Sequence, residues 1–216
     1  MKNCIILVIV LVLGVSSANA QENVSIGPIA GVSIANFRGN KGNIGNQSDP
    51  KVGLTVGGFY NYSSKNGFGF SGQLLFTQMG AKVYNKGNEI NLNYIQVPLL
   101  ATFFFGKFGD QVRPKLFVGP SFNFLVGAKD KDGNNLNPDS NNRVYNPFDL
   151  GVTFGAGVNI RLQQKIWLNL DARYGLGLLD VSNDDNKLHN GNFGVNVGLS
   201  FPLGTYDKNS GRLRTN

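Results

Sequence analysis

The sequence predicts an all-β fold: eight antiparallel strands closed in order into an up-and-down transmembrane β-barrel, preceded by a cleaved signal peptide. Three observations carry that expectation. Long runs alternate strictly between apolar and polar residues, as strands with one wet and one apolar face do. The connections alternate between long polar segments and short turns, the habit of barrels with long outer loops and short periplasmic turns. Charged residues make up only 15% of the chain, well below the roughly 25% of soluble domains.

The N-terminus is set aside first. Met1-Lys2-Asn3 carries one positive charge, Cys4 to Val15 is almost wholly apolar, and Ala18-Asn19-Ala20 is a small-residue cleavage site. Residues 1–20 therefore read as a signal peptide. Its apolar core is shorter than the ~20 residues of a spanning helix. Cys4 is the one cysteine of the chain, so disulfides, thiol catalysis and cysteine-held metals are not expected after cleavage. The formal charge of +7 becomes +6 without Lys2. The cations are scattered along an exported chain, which argues against nucleic acid as a partner.

The barrel is expected over residues 21–204. The first strand, about Val24 to Asn36, alternates Val24, Ile26, Pro28, Ala30, Val32 and Ile34 with Ser25, Gly27, Ile29, Gly31, Ser33 and Ala35. A polar loop, Phe37 to Pro50, follows. The second strand (Lys51 to Tyr62) turns Val52, Leu54, Val56, Tyr60 and Tyr62 to lipid; the third (Gly67 to Met79) sets Phe68, Phe70, Leu74 and Phe76 against Gly69, Ser71, Gln73 and Thr77. After a polar stretch from Gly80 to Asn91, the fourth (Leu92 to Phe105) is less regular. Its second face mixes Tyr94, Gln96, Pro98, Leu100, Thr102 and Phe104, and a proline there suggests an edge or a bulge.

The fifth strand (Pro114 to Gly127) points Leu116, Val118, Phe122, Phe124 and Val126 outward, before the longest polar segment, Ala128 to Pro147. Strands six and seven show the clearest pattern. Phe148, Leu150, Val152, Phe154, Ala156, Val158, Ile160 and Leu162 oppose Asp149, Gly151, Thr153, Gly155, Gly157, Asn159 and Arg161. Beyond Gln163-Gln164-Lys165, Ile166, Leu168, Leu170, Ala172, Tyr174, Leu176 and Leu178 oppose Trp167, Asn169, Asp171, Arg173, Gly175 and Gly177. Such runs exceed the five or six residues usual for soluble strands and suit the ~9–11 of a tilted bilayer crossing. A loop from Val181 to Asn190 leads to the eighth strand, Gly191 to Phe201. Residues 205–216, with Lys208, Arg212 and Arg214, read as a disordered basic tail.

Several segments together resemble the small PorT-like outer-membrane β-barrel proteins of Bacteroidetes. They are Gly31–Phe37, Leu74–Lys82, Leu92–Leu100, Phe117–Pro120, Asp149–Gly151 and Asp171–Leu178. The resemblance implies an eight-stranded barrel integral to the outer membrane, in a group some of whose members serve protein secretion or gliding. Where that group carries an acid, this chain has Gln96.

The candidate site is a lumen cluster of Asp149, Arg161, Asp171 and Arg173. With a three-residue turn at Leu162–Gln164, Asp171 is expected opposite Gly155 and Arg173 opposite Thr153. The cluster reads as a plug of ion pairs and hydrogen bonds, because lone buried charges are too costly to leave unpaired. No catalytic residue, cofactor or metal is expected. The alternatives are a lipid-modifying enzyme built on His189 with Ser182 and Asp184, a narrow passive pore, and a soluble secreted β protein. Asp130–Asn135 resembles a calcium loop faintly, and reads better as a turn because Gly133 follows too soon. Tyr60, Tyr62, Tyr94 and Tyr174 are assigned to aromatic girdles, and Trp167 to sealing the periplasmic end. The expected partners are outer-membrane lipid and envelope proteins, around a monomeric barrel that acts without enzymatic chemistry through four outer loops.

Overall fold

The computed structural model describes residues 24–39, 48–64, 66–83, 88–107, 109–139, 143–163, 166–182, 188–203, 205–206 and 213–214. The expected signal peptide and Asp184 lie outside them. Eight strands follow one another: β1 (Val24–Gly39), β2 (Ser48–Ser63), β3 (Phe68–Val83), β4 (Asn88–Phe104), β5 (Val112–Lys129), β6 (Phe148–Gln163), β7 (Ile166–Gly177) and β8 (Leu188–Pro202). Each pairs with its neighbours antiparallel, and β1 closes on β8 along Ser25↔Pro202 to Gly39↔Leu188. Closure leaves no free sheet edge, as a strand assembly in a bilayer requires.

Alternation decides what faces outward. Val52, Leu54, Leu74, Phe103 and Val126 are 67, 61, 60, 58 and 58% exposed, while Thr55, Thr77, Thr102 and Asn123, on the other face of the same wall, are buried. An apolar belt this continuous is far beyond the patch a soluble monomer exposes, and its natural solvent is lipid. The inner face is narrow enough for side chains to fill, as in other eight-stranded barrels.

The strands are longer than the alternation of large apolar residues suggests. The segments expected as loops at 37–50, 80–91 and 181–190 are partly strand, because Arg38, Lys82 and Asn190 keep pairing above the apolar belt. β5 reaches 18 residues, beyond the ~9–11 needed to cross.

Three further expectations are corrected. The β6–β7 register places Asp171 opposite Gly157 and Arg173 opposite Gly155, two residues from the expected pairing. An irregularity between Arg161 and Gln163 leaves Leu162 out of the ladder, so Gln163 pairs with Ile166. Pro98 makes no bulge: it lies buried in β4 in the register Pro98↔Ser121, and the shift of register sits at Asn93/Tyr94 instead. In the tail, Thr205–Tyr206 (β9) pairs with Leu213–Arg214 (β10), where the sequence shows no strand pattern.

Candidate functional site

The lumen holds the chemistry, in layers. Nearest the short turns, the Arg113 guanidinium lies 4.5 Å from the Phe104 ring centroid and donates from Nη1 to Ser63 Oγ at 3.2 Å. Arg161 stands over Trp167, 5.9 Å from its ring, and Asn169 donates to Ser200 Oγ at 2.7 Å. Trp167 and Arg161 are cross-strand partners, so the indole sits at the turn end, where the sequence puts it.

One layer further in is an ionic group. Lys115 Nζ of β5 lies 2.8 Å from Asp171 Oδ1 of β7, and Arg173 Nη2 lies 3.7 Å from Asp171 Oδ2. The pair reaches across β6 because Gly157 stands between its partners in the register Lys115↔Gly157↔Asp171. Gly155 likewise leaves space for the Phe117 ring, which lies 5.8 Å from both Lys115 Nζ and the Arg173 guanidinium. Arg173 then crosses the lumen, donating from Nη1 to Gln73 Oε1 of β3 at 2.8 Å. Ile29, Phe59 and Leu75 pack on the wall formed by β1, β2 and β3.

Toward the long loops the lumen becomes a neutral amide network around one acid. Asp149 is 0% exposed. Its Oδ2 accepts from Asn123 Nδ2 at 3.4 Å and from Asn190 Nδ2 at 3.2 Å. Asn190 also donates to the Tyr94 hydroxyl at 3.2 Å, a second bond across the lumen, from β8 to β4. Above it, Phe37, Met79, Leu92, Tyr94, Tyr145, Val181 and Leu188 form an apolar cluster, with Phe37 and Tyr145 stacked at 6.3 Å. Burial pushes the Tyr145 hydroxyl, in the β5–β6 loop, up to about 12.

The four residues singled out by sequence are thus not one cluster. Asp171 and Arg173 are together; Asp149 belongs to the outer network, and Arg161 to the turn end. Tyr94 leaves the expected girdle for the lumen, 0% exposed, because β4 turns its even residues inward. Tyr174 does face outward, against Phe154 at 5.7 Å. Lys115, Gln73, Asn123 and Asn190 were not singled out. Strand parity marks Lys115, since Leu116 and Val118 point to lipid; nothing local marks the others as partners.

Described residues of the β5–β6 and β7–β8 loops are held by hydrogen bonds of their own. Asp130 Oδ1 accepts from the amides of Asp132 (2.9 Å) and Asn134 (2.8 Å), and Oδ2 accepts from Asn134 Nδ2 (2.9 Å). Those bonds, that of the Asn134 side chain first, hold its carboxyl below the usual 3.8. This is a turn closed by its own side chain. Asn146 Nδ2 donates to the carbonyls of Asp180 (2.8 Å) and Ser182 (3.1 Å), joining the β5–β6 loop to the β7–β8 loop. His189 directs Nδ1 at the Leu179 carbonyl, 2.9 Å away, and the Ser182 amide donates to Asp180 Oδ1 at 3.0 Å.

A family model described as the outer membrane protein beta-barrel domain matches residues 19–183. No curated protein matches the sequence. Among solved structures, Neisserial surface protein A aligns with a TM-score of 0.51 at 17% identity, over 83% of this chain and 100% of its own. The outer membrane protein OprG from Pseudomonas aeruginosa aligns with a TM-score of 0.51 at 11% identity, over 84% of this chain and 97% of its own. At these identities the likeness is one of fold.

Proposed function

We propose a function from one premise: the chain belongs to the outer membrane protein beta-barrel domain family, and the protein is a β-barrel of the outer membrane. On that premise it is a monomeric, non-enzymatic scaffold whose closed lumen holds a set of outer loops in fixed positions for a protein partner in the cell envelope. The observation that carries this reading is the pair of cross-lumen bonds, Arg173 to Gln73 and Asn190 to Tyr94. Each joins strands on opposite sides of the eight-stranded ring, and together they occupy the path that a solute would take. A filled lumen leaves the loops and the outer wall as the surfaces where function resides. The resemblance to PorT-like barrels favours an assembly connected with secretion as the partner.

Two measurements test the reading. The purified barrel in planar bilayers is expected to show no conductance steps of porin size; such steps would refute the closed scaffold. A photo-crosslinking residue at Asn135, in the β5–β6 loop, is expected to capture one defined envelope protein in intact cells. Adducts to lipid alone would remove the partner from the proposal.

A further inference from the structure

Two polar side chains on the lipid-facing wall meet over one glycine. Gly191 of β8 shares its parity with Phe193 and Val195, which are exposed, yet it is itself buried. Arg38, reaching in from β1, and Tyr174, reaching in from β7, cover it. A Cβ on Gly191 would lie 2.9 Å from Arg38 Cδ, 3.4 Å from Arg38 Cγ and 3.2 Å from the Tyr174 hydroxyl oxygen. The registers Asn36↔Gly191 and Leu176↔Gly191 put β1 and β7 on either side of that glycine. The two side chains therefore bend along the wall to one point from opposite flanks, into room that a side chain on Gly191 would take.

Among the described residues neither polar group is committed. No carboxylate there pairs with the Arg38 guanidinium, and the Tyr174 hydroxyl has no hydrogen-bond partner. Asp180, the acid between β7 and β8, accepts at Oδ1 from the amides of Ser182 and Leu188, at 3.0 and 2.9 Å. The ladder partner of Arg38 is His189, an imidazole and not an acid, whose Nδ1 is directed at the Leu179 carbonyl.

The depth is that of a lipid headgroup. From Gly191 toward the turns the outward residues are Phe193 and Val195 on β8, with Ile34 and Val32 beside them on β1; toward the loops come His189 and Arg38. Guanidinium and hydroxyl thus meet at the upper edge of the apolar belt, with hydrocarbon below and water above. Tyrosine favours that boundary, ring in the apolar layer and hydroxyl in the polar one, and Phe154 braces the Tyr174 ring at 5.7 Å. A guanidinium matches a phosphate with two parallel N–H···O bonds, and a hydroxyl beside it adds a third donor. A phosphate carried by a lipid reaches this depth with its acyl chain already against Phe193 and Val195. Free phosphate has no use for that wall.

We propose that Arg38 and Tyr174, held together over Gly191, bind the phosphate of an anionic lipid in the outer leaflet, its acyl chain lying on Phe193 and Val195. The site rests on the membrane placement of the barrel alone, so it stands or falls apart from the scaffold reading.

The test titrates the full folded protein, in neutral dodecyl maltoside micelles, with lysophosphatidic acid, a single-chain phosphate monoester. Bound lipids are counted by native mass spectrometry, and a first equivalent is expected to bind well before further copies add. Arg38→Ala is expected to weaken it by at least about tenfold, and Tyr174→Phe, which keeps the ring, by about threefold, as charge-assisted and neutral hydrogen bonds do. Gly191→Ala keeps both donors but fills the point between them, and is expected to weaken binding several-fold. Lys82→Ala removes another exposed cation of the same rim, on β3, and is expected to leave the affinity unchanged. Lysophosphatidylcholine, whose phosphate is balanced by its own cation, is expected to bind more weakly. Equal affinity in the parent and Arg38→Ala, or equal binding of the two lysolipids, would overturn the proposal and leave only an apolar wall. Displacement of lysophosphatidic acid by equimolar inorganic phosphate would overturn it too, by giving the site to a free anion.

Discussion

Gly157 faces Asp171 across the β6–β7 ladder so closely that a Cβ on the glycine would lie 2.2 Å from Asp171 Oδ1 and 3.0 Å from Lys115 Cε. The space of one missing methyl group is what lets an ion pair pass over an intervening strand. Gly157→Ala should therefore displace the Lys115–Asp171 pair and destabilise the barrel by about 1–3 kcal/mol, the usual range for overpacking. Gly58→Ala, whose added Cβ meets only the Gly27 carbonyl at 3.6 Å, should stay within about 0.5 kcal/mol of the parent. Equilibrium unfolding in denaturant, with the two variants side by side, checks both.

Removing the acid of the same group should cost more. Asp171→Asn leaves Lys115 and Arg173 as buried cations without their anion, a loss of about 3–5 kcal/mol by comparison with other broken buried pairs. Gln73→Leu takes away only the acceptor at the far end of Arg173, and should cost about 1.5–3 kcal/mol. A measured cost for Gln73→Leu equal to that for Asp171→Asn would show that the cross-lumen bond, and not the ion pair, dominates the layer.

The two cross-lumen bonds also predict a gain of function. Arg173→Ala combined with Tyr94→Ala removes one partner from each. The double variant should show conductance steps in planar bilayers that the parent lacks, and each single variant should fall between. An unchanged, silent double variant would mean that the remaining layers close the lumen by themselves.

The loop at Asp130 should respond to acid in one direction. Its carboxyl is held below the usual 3.8 by the bonds it accepts, so the order it lends the turn is present above the unfolded value and lost as pH falls through the folded one. Amide exchange at Asp132 and Asn134 should be steady at neutral pH and accelerate, relative to the intrinsic rate, only below about pH 4. Asp130→Asn should flatten that profile.

Asn146→Ala unties the β5–β6 loop from the β7–β8 loop by leaving the carbonyls of Asp180 and Ser182 without its donor. A local loss of about 0.5–1.5 kcal/mol follows for each part-buried hydrogen bond removed. In intact cells, externally added protease should cut residues 130–147 faster in the variant, with the barrel itself still heat-modifiable.

Much of the fold was legible because lipid and a narrow lumen impose opposite demands on alternate residues. Val52 and Leu54 against Thr55, or Val195 and Val197 against Asn196, can be sorted by parity alone. The strand ends were not legible. Above the membrane the outward residues are Arg38, Lys82 and Lys129, exposed in water, so the apolar signal stops while backbone pairing continues. Register was misread at the one place where Leu162 drops out of the ladder, a backbone event that no side chain announces. The candidate site was half visible. Parity places Asp149, Asp171 and Arg173 in the lumen, but Gln73 and Arg173 are 100 residues apart and Tyr94 and Asn190 are 96. Only the circular order of strands makes such pairs neighbours.

That circular order has a mechanical consequence. The Arg173–Gln73 bond spans β7 to β3, and the Asn190–Tyr94 bond spans β8 to β4. They are diameters of the ring, one strand apart and at different depths. A cylinder without spokes can be squeezed into an ellipse at little expense, because each strand need only hinge slightly on the next. With one diameter fixed, ovalisation along that line is stopped; with a second set obliquely at another height, twisting the ellipse round no longer evades the first. Lateral pressure from the surrounding lipid therefore meets a braced cross-section, and the loop tips above it are carried on a frame that keeps its shape.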